Sequence, residues 1–403
     1  MKTNSRHTTP LALTALAAIT VYILACTAFS PDDSKVLYAT ISPQTGATGI
    51  AVYDRTTGKS EMLFLPMFQD LDTLKTKPVI LRPQWLPGGK GVLVAWPGGN
   101  DNQKDDGLNL ALLPAGGAGP VKLFYQSELK DLMSLLVRPL PIAGHFLFLT
   151  KEGESDTASL IRLDLVTGEL RSRTNLPALT LLPTPHGDGI IYLAAAPGDK
   201  ERTEVGFLNP ETFARTAVFQ TEGSLLKSDK AEGFLAVSRD GKRLAFADTE
   251  GDKQVCRVLQ TGRPFKTVPL PESEEKLSFG NAQFAPDGEM VYISFLDPGA
   301  GGTNVSFGVF ELPLNGGALR RNTLIQGCGI KDDSFALYFQ LDVSNDGRTL
   351  AVASTYLAYE NDGGSRQLKK PEDCALFLLN LADPQRKVTR VPVPLPPLDL
   401  LSK

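Results

Sequence analysis

Two series of tight-turn signals alternate along the chain, seven of each, and this repetition constrains the fold more than any other feature. The first series reads PDDSKVLYA (31–39), LPGGKGVLVA (86–95), IAGHFLFL (142–149), GDGIIYLA (187–194), RDGKRLAFA (239–247), PDGEMVYIS (286–294) and NDGRTLAVA (345–353). Each joins a turn to a short run rich in Val, Ile, Leu, Phe and Tyr. Asp-Gly is a strong hairpin signal because glycine tolerates the positive φ that such turns need. The second series follows each of these after another apolar run. It reads YDRTTGKS (53–60), LLPAGGAG (112–119), LDLVTGEL (163–170), FLNPETF (207–213), VLQTGRP (258–264), ELPLNGGA (311–318) and LNLADPQR (378–386).

With Asp33, Gly89, Gly144, Gly189, Gly241, Gly288 and Gly347 as anchors, successive spacings are 56, 55, 45, 52, 47 and 59 residues. Each unit has room for four short strands and their loops. After residue 30 no stretch sustains a 3.6-residue apolar period, so helices contribute little. Four-stranded units repeated radially protect their sheet edges by closing a ring. This pattern predicts an all-β protein, a seven-bladed β-propeller of four-stranded antiparallel blades. The blades are expected near residues 30–66, 79–126, 133–175, 178–220, 230–270, 277–325 and 335–393. An irregular pair of two-sheet sandwiches explains the steady period less well. The tail PLPPLDLLSK (394–403) carries Leu398, Leu400 and Leu401, which need burial. It is expected to close the ring as the inner strand of blade 1, the alternative being a Pro-rich extended tail on the surface.

The turns also carry a family resemblance. PQWLPGGKGVLVA (83–95), VSRDGKRLAFA (237–247), FAPDGEMVYIS (284–294) and VSNDGRTLAVA (343–353) resemble the motif PxWSPDGKxIxF of TolB-like, PD-type propeller repeats. The resemblance covers residues 30–393. It implies a WD-like propeller in an extracytoplasmic interaction module. It leaves function open, because such folds host many activities.

The first 30 residues read as an export address. Lys2 and Arg6 stand in a basic segment without acids, and the apolar run LALTALAAITVYILA (11–25) precedes Cys26. A basic segment before a 7–15-residue apolar run is a signal-peptide pattern. Ile23-Leu24-Ala25-Cys26 resembles the lipobox of bacterial lipoproteins, which implies lipid attachment at Cys26. The alternative is an uncleaved anchor, since residues 8–30 carry no charge and about 20 apolar residues can span a bilayer. Either reading divides the chain into a signal or anchor at 1–25 and one propeller domain at 26–403. Either also expects a membrane-anchored location on the extracytoplasmic side of a bacterial envelope.

Charge and motifs exclude more than they select. A net charge of −4 gives no basic footprint for nucleic acid. G-x-S-x-G, H-E-x-x-H and G-x-x-x-x-G-K-[ST] are absent, removing the nucleophile elbow, the zincin helix and the P-loop. Of three histidines, His7 lies in the leader, while His145 and His186 fall at hairpin turns, too few for a three-His metal site. No cofactor or metal is expected. Asn100-Asp101-Asn102-Gln103-Lys104-Asp105-Asp106-Gly107 crowds oxygen ligands, but its spacing does not match an EF-hand and Lys104 interrupts it. A solvated loop is the reading adopted there, and also for Asp248, Glu250 and Asp252. Without C-x-x-C, zinc and thioredoxin-like chemistry are not indicated. Cys256 sits mid-strand as a small core residue. Cys328 and Cys374 are candidates for a disulfide, whose contribution on the chain-entropy model is about 4 kcal/mol. Trp85 and Trp96 are read as core and inter-blade packing rather than as a stacking platform.

Alternation of strand direction places the tight turns on one face and the long connections on the other. The long ones include residues 98–107, 297–306 and 356–373. Loops on a rigid scaffold carry function, so that face is the candidate binding face, with Asp101, Asp105, Asp106, Asn304, Tyr356, Tyr359 and Arg366 as candidate contacts. The function expected is a noncatalytic scaffold that binds an envelope protein or peptide as a monomeric propeller. The alternative is a small-ligand or hydrolytic propeller, lactonase- or glycosidase-like, with carboxylates converging in the central channel.

Overall fold

A strand buried on both faces needs apolar side chains at successive positions, whereas one buried on a single face needs them only at alternate ones. MVYISFLD, residues 290–297, is of the first kind, with Val291 through Phe295 all buried. Val291, Ile293 and Phe295 pack into the core shared with the preceding sheet, and Tyr292 into the core shared with the following one. The core is therefore divided into layers between neighbouring sheets.

The computed structural model describes residues 27–41, 48–64, 82–89, 91–97, 108–114, 122–126, 140–142, 145–151, 157–164, 170–177, 179–183, 190–209, 212–220, 234–250, 253–260, 266–271, 277–297, 305–328, 339–355, 359–362, 365–368 and 374–392. Among them stand seven four-stranded antiparallel sheets and one two-stranded hairpin. The first sheet comprises β1 (Thr27–Phe29), β2 (Lys35–Ile41), β3 (Thr48–Asp54) and β4 (Lys59–Phe64); the second β5 (Arg82–Trp85), β6 (Gly91–Pro97), β7 (Leu108–Pro114) and β8 (Lys122–Gln126). The third comprises β9 (Leu140–Ile142), β10 (His145–Lys151), β11 (Thr157–Asp164) and β12 (Leu170–Pro177). The fourth is built of β13 (Leu179–Pro183), β14 (Ile190–Ala196), β15 (Asp199–Leu208) and β16 (Arg215–Gln220). In the fifth stand β17 (Leu235–Val237), β18 (Arg243–Glu250), β19 (Lys253–Gln260) and β20 (Lys266–Pro269), and in the sixth β21 (Ser278–Phe284), β22 (Met290–Asp297), β23 (Val305–Pro313) and β24 (Arg320–Cys328). The seventh runs β25 (Phe339–Val343), β26 (Thr349–Thr355), β29 (Cys374–Asn380) and β30 (Val388–Pro392), with the hairpin β27 (Tyr359–Asp362) and β28 (Ser365–Leu368) inserted after its second strand.

First strands of successive sheets stand against one another: β17 against β21, β21 against β25, β25 against β1, and β5 against β9. Shared cores join the fourth sheet to the fifth, the fifth to the sixth, the sixth to the seventh and the seventh to the first. This is the arrangement of an all-β propeller. In the layer between the fifth and sixth sheets, Phe295 and Phe310 stack at 4.2 Å while Phe234 meets Phe279 edge-on at 5.8 Å.

In the first sheet β1 stands as the first strand and pairs with β2 from Thr27 opposite Tyr38 to Phe29 opposite Val36. Residues 393–403, the tail expected to close the ring, lie outside the described residues. Three residues suffice for the inner strand because their contacts come from neighbouring sheets. Phe29 is buried in the core shared with the seventh sheet, and Ala28 accepts a hydrogen bond from the Trp85 indole at 3.0 Å.

Candidate binding face

Five first-to-second-strand turns share one pattern of backbone hydrogen bonds. In residues 30–35, 86–91, 238–243, 285–290 and 344–349 the first residue donates its N–H to the sixth carbonyl at 2.8–2.9 Å, and the fourth donates to the first carbonyl at the same distances. The fourth residue takes φ of 58° at Asp33, 69° at Gly89, 67° at Gly241, 72° at Gly288 and 69° at Gly347. Where the turn opens with serine, its hydroxyl donates at 2.6 Å to the aspartate two residues on, in Ser30–Asp32, Ser238–Asp240 and Ser344–Asp346. The hydroxyls of Ser30 and Ser34 hold the Asp32 carboxyl below its ordinary value.

The fourth residue also abuts the preceding sheet. A Cβ on Gly241 would lie 2.5 Å from the Phe207 ring, on Gly288 3.0 Å from the Arg243 guanidinium, and on Gly347 3.5 Å from Pro286. At the seam between the seventh and first sheets the residue is Asp33, and it reaches across instead. Its carboxylate accepts from the Asn345 backbone N–H at 2.8 Å, the Asn345 side-chain amide at 2.9 Å and the Asp346 N–H at 3.1 Å. Arg55 spans the same seam, donating to the Asp33 carbonyl at 2.7 Å and to the Thr349 hydroxyl at 2.8 Å. Arg243 similarly donates to the Gly288 carbonyl and pairs with Glu289. Arg386 forks onto Glu311 with two contacts of 2.8 Å. This turn face is held by charges that look like solvated turn residues in the sequence. The one signal for them was Asp33 in a column of glycines.

Deeper in the molecule, Asp342 on β25 joins three first strands. Its carboxylate accepts from the Phe29 N–H on β1 at 2.7 Å, the Gln283 amide on β21 at 3.2 Å and its own neighbour Val343 N–H at 2.9 Å. Burial pushes this carboxyl up to about 7, against the pull of the Phe29 and Val343 N–H groups and with a further push from the Asp33 carboxylate. Its oxygens already accept three bonds, which makes Asp342 a joint between sheets.

Antiparallel order puts the second-to-third-strand connections at the opposite end, here the insertion face. The hairpin β27–β28 emerges there, with Tyr359 opposite Leu368 and Asn361 opposite Arg366. Two candidate contacts, Tyr359 and Arg366, thus stand on paired strands rather than in an open loop. Cys328 is the last residue of β24 and Cys374 the first of β29. Both strand ends belong to the insertion face. Asp101, Asp105, Asp106, Asn304, Tyr356 and Cys26 lie outside the described residues. Asp248 pairs with Arg257 at 2.6 Å across β18 and β19. His145 opens strand β10. Cys256 is fully buried, and burial pushes its thiol up to about 12. Among the described residues no group of three or more His, Cys, Asp or Glu could hold a metal ion, and no helix is long and apolar enough to cross a membrane.

No family model matches the chain, and no curated protein matches it. Among solved structures it is similar to the β-propeller domain of the Trilobed protease from Pyrococcus furiosus, described as having an open velcro topology. That similarity covers 91% of this chain and 94% of the other, at 12% identity and a TM-score of 0.51. TolB from Acinetobacter baumannii is similar over 82% of this chain and 73% of its own, at 14% identity and a TM-score of 0.36. At such identities the first similarity carries the β-propeller fold alone.

Proposed function

We propose that the chain is a seven-bladed β-propeller tethered to the outer side of a bacterial membrane, and that it acts as a noncatalytic scaffold for an envelope protein or peptide on its insertion face. The observation that carries this reading is the hairpin β27–β28. The seventh sheet is complete as a four-stranded unit without it, so the hairpin adds surface to one face without adding a strand to the ring. Paired strands also present side chains in a fixed order, as a recognition element on a rigid scaffold requires. The tether is supported by the leader, whose apolar run ends one residue before Cys26 and two before β1.

Chemical crosslinking in cells followed by affinity capture tests the reading. One envelope protein is expected near stoichiometry with the intact chain, and its loss when residues 356–373 are replaced by a short Gly/Ser turn. Recovery of the same partner from the shortened chain would overturn the assignment to this face. The small-ligand or hydrolytic alternative would need a free carboxyl near the axis, and the bonds already accepted by Asp342 speak against that residue.

A further inference from the structure

We infer that the insertion face lies against the lipid bilayer, with the turn face directed away from it. The inference rests on the proposed tether and adds the orientation that the tether imposes. The chain leaves β1 through the turn at residues 30–35, so Phe29 marks the turn-face end of that strand and Thr27 the insertion-face end. Thr27 pairs with Tyr38, and β2 continues to Ile41 beyond it. Three further residues at about 3.3 Å each recess Thr27 roughly 10 Å inside the insertion-face end of its sheet.

Nothing polar and flexible separates this point from the membrane-seeking segment. Residues 8–30 carry no charge, and the apolar run reaches Ala25. A flexible linker of n residues gives a reach of about 5–6 Å times the square root of n; here n is close to zero. A lipid on Cys26 and an uncleaved span ending at Ala25 both start within two residues of this recessed point. Either must pass out of the mouth of the insertion face and enter the bilayer directly. Freeing β1 to lengthen the tether would expose Phe29 and strip the Phe29 N–H from Asp342 and the Ala28 carbonyl from Trp85. Lowering the whole face onto the bilayer breaks none of these contacts. The turn face then stands about 20 Å away, the length of a seven-residue strand such as β3. Soluble molecules have access to that outer face, and a protein partner on the insertion face is one embedded in the same membrane.

The test uses the full-length chain with Cys328→Ser and Cys374→Ser, reconstituted in vesicles whose lipids carry a nitroxide quencher on the headgroup. A fluorophore is placed either at Glu250→Cys, exposed at the insertion-face end of β18, or at Thr57→Cys, exposed in the turn between β3 and β4. The same background without an added cysteine serves as the blank. Quenching at position 250 is expected to exceed that at position 57 at least threefold. The difference should disappear when 20 Gly/Ser residues are inserted between Cys26 and Thr27. Equal quenching at both positions in vesicle-bound protein, or stronger quenching at 57, overturns the orientation and leaves the tether standing. Recovery of the wild-type chain from cells in the soluble fraction without detergent overturns the tether, and the orientation with it.

Discussion

Asp33 occupies the turn position that glycine holds in the other four described turns, and it does so at φ 58°. An L-residue in the left-handed region costs roughly 1–2 kcal/mol relative to the right-handed one, and the three hydrogen bonds accepted from the seventh sheet offset that cost. Asp33→Gly removes the strain and the bonds together, whereas Asp33→Ala removes only the bonds. Asp33→Ala is expected to destabilise by about 1–3 kcal/mol for the donors left unpaired, and Asp33→Gly by about 1 kcal/mol less. Urea midpoints of the three proteins check the order. Asp342 makes the second residue-scale prediction. Its folded-state value of about 7 lies above the unfolded 3.8, so the folded chain holds this proton more tightly. The resulting stabilisation is full below pH 3.8 and is lost as pH rises through about 7. Between pH 5 and 8 stability should fall with a slope of at most about 1.4 kcal/mol per pH unit from this one proton. Asp342→Asn should flatten that part of the profile whatever its effect on absolute stability, and an unchanged slope would exclude the assignment.

At the scale of elements, the seam between the sixth and seventh sheets carries the Glu311–Arg386 ion pair. Burial pushes the Glu311 carboxyl up, but hydrogen bonds from Arg386 and Asn322 outweigh it and hold the group below its ordinary value. Its stabilisation is therefore present above the unfolded 4.5 and is lost as pH falls. Arg386→Ala leaves a buried carboxylate without its fork and is expected to cost about 3–5 kcal/mol. Adding Glu311→Gln should recover part of that, as thermal unfolding of the single and double variants will show. Such seams were the illegible part of the sequence. Arg55 and Thr349 are 294 residues apart, and each alone reads as a solvated turn residue. The strands were legible because residues such as those of β22 are buried on both faces, which leaves continuous apolar runs. The turns were legible because positive φ selects glycine. β27–β28 carried its own signal, Asp362-Gly363-Gly364 between polar flanks, hidden by its place inside a long connection. β1 was hard to read because it is three residues long and what secures it comes from the second and seventh sheets.

At the scale of the whole molecule, a repeat protein is stabilised by interfaces between neighbouring units, and local opening starts where an interface is weakest. The seam between the seventh and first sheets joins segments some 300 residues apart, so its closure carries a large loop-entropy cost and gains nothing from a covalent connection among the described strands. It is closed at two depths. Asp33 and Arg55 clasp it at the turn face, while β1 and Asp342 join it inside. Removing β1 should leave the first sheet with three strands, strip Asp342 of its Phe29 donor and expose the layer that Phe29 shares with Leu376 and Leu378. A chain beginning at residue 31 is therefore expected to exchange backbone hydrogens early in β2, β25 and β26 compared with a chain beginning at residue 27. β22 and β23 should remain protected, because the layers around Phe310 and Phe307 do not involve the first sheet. Hydrogen exchange resolved by mass spectrometry distinguishes the outcomes. Selective loss of protection at the seam supports β1 as the latch of the ring. Uniform loss in all seven sheets would mean that the molecule opens as one cooperative unit, and unchanged protection would mean that the Asp33 clasp closes the ring without β1.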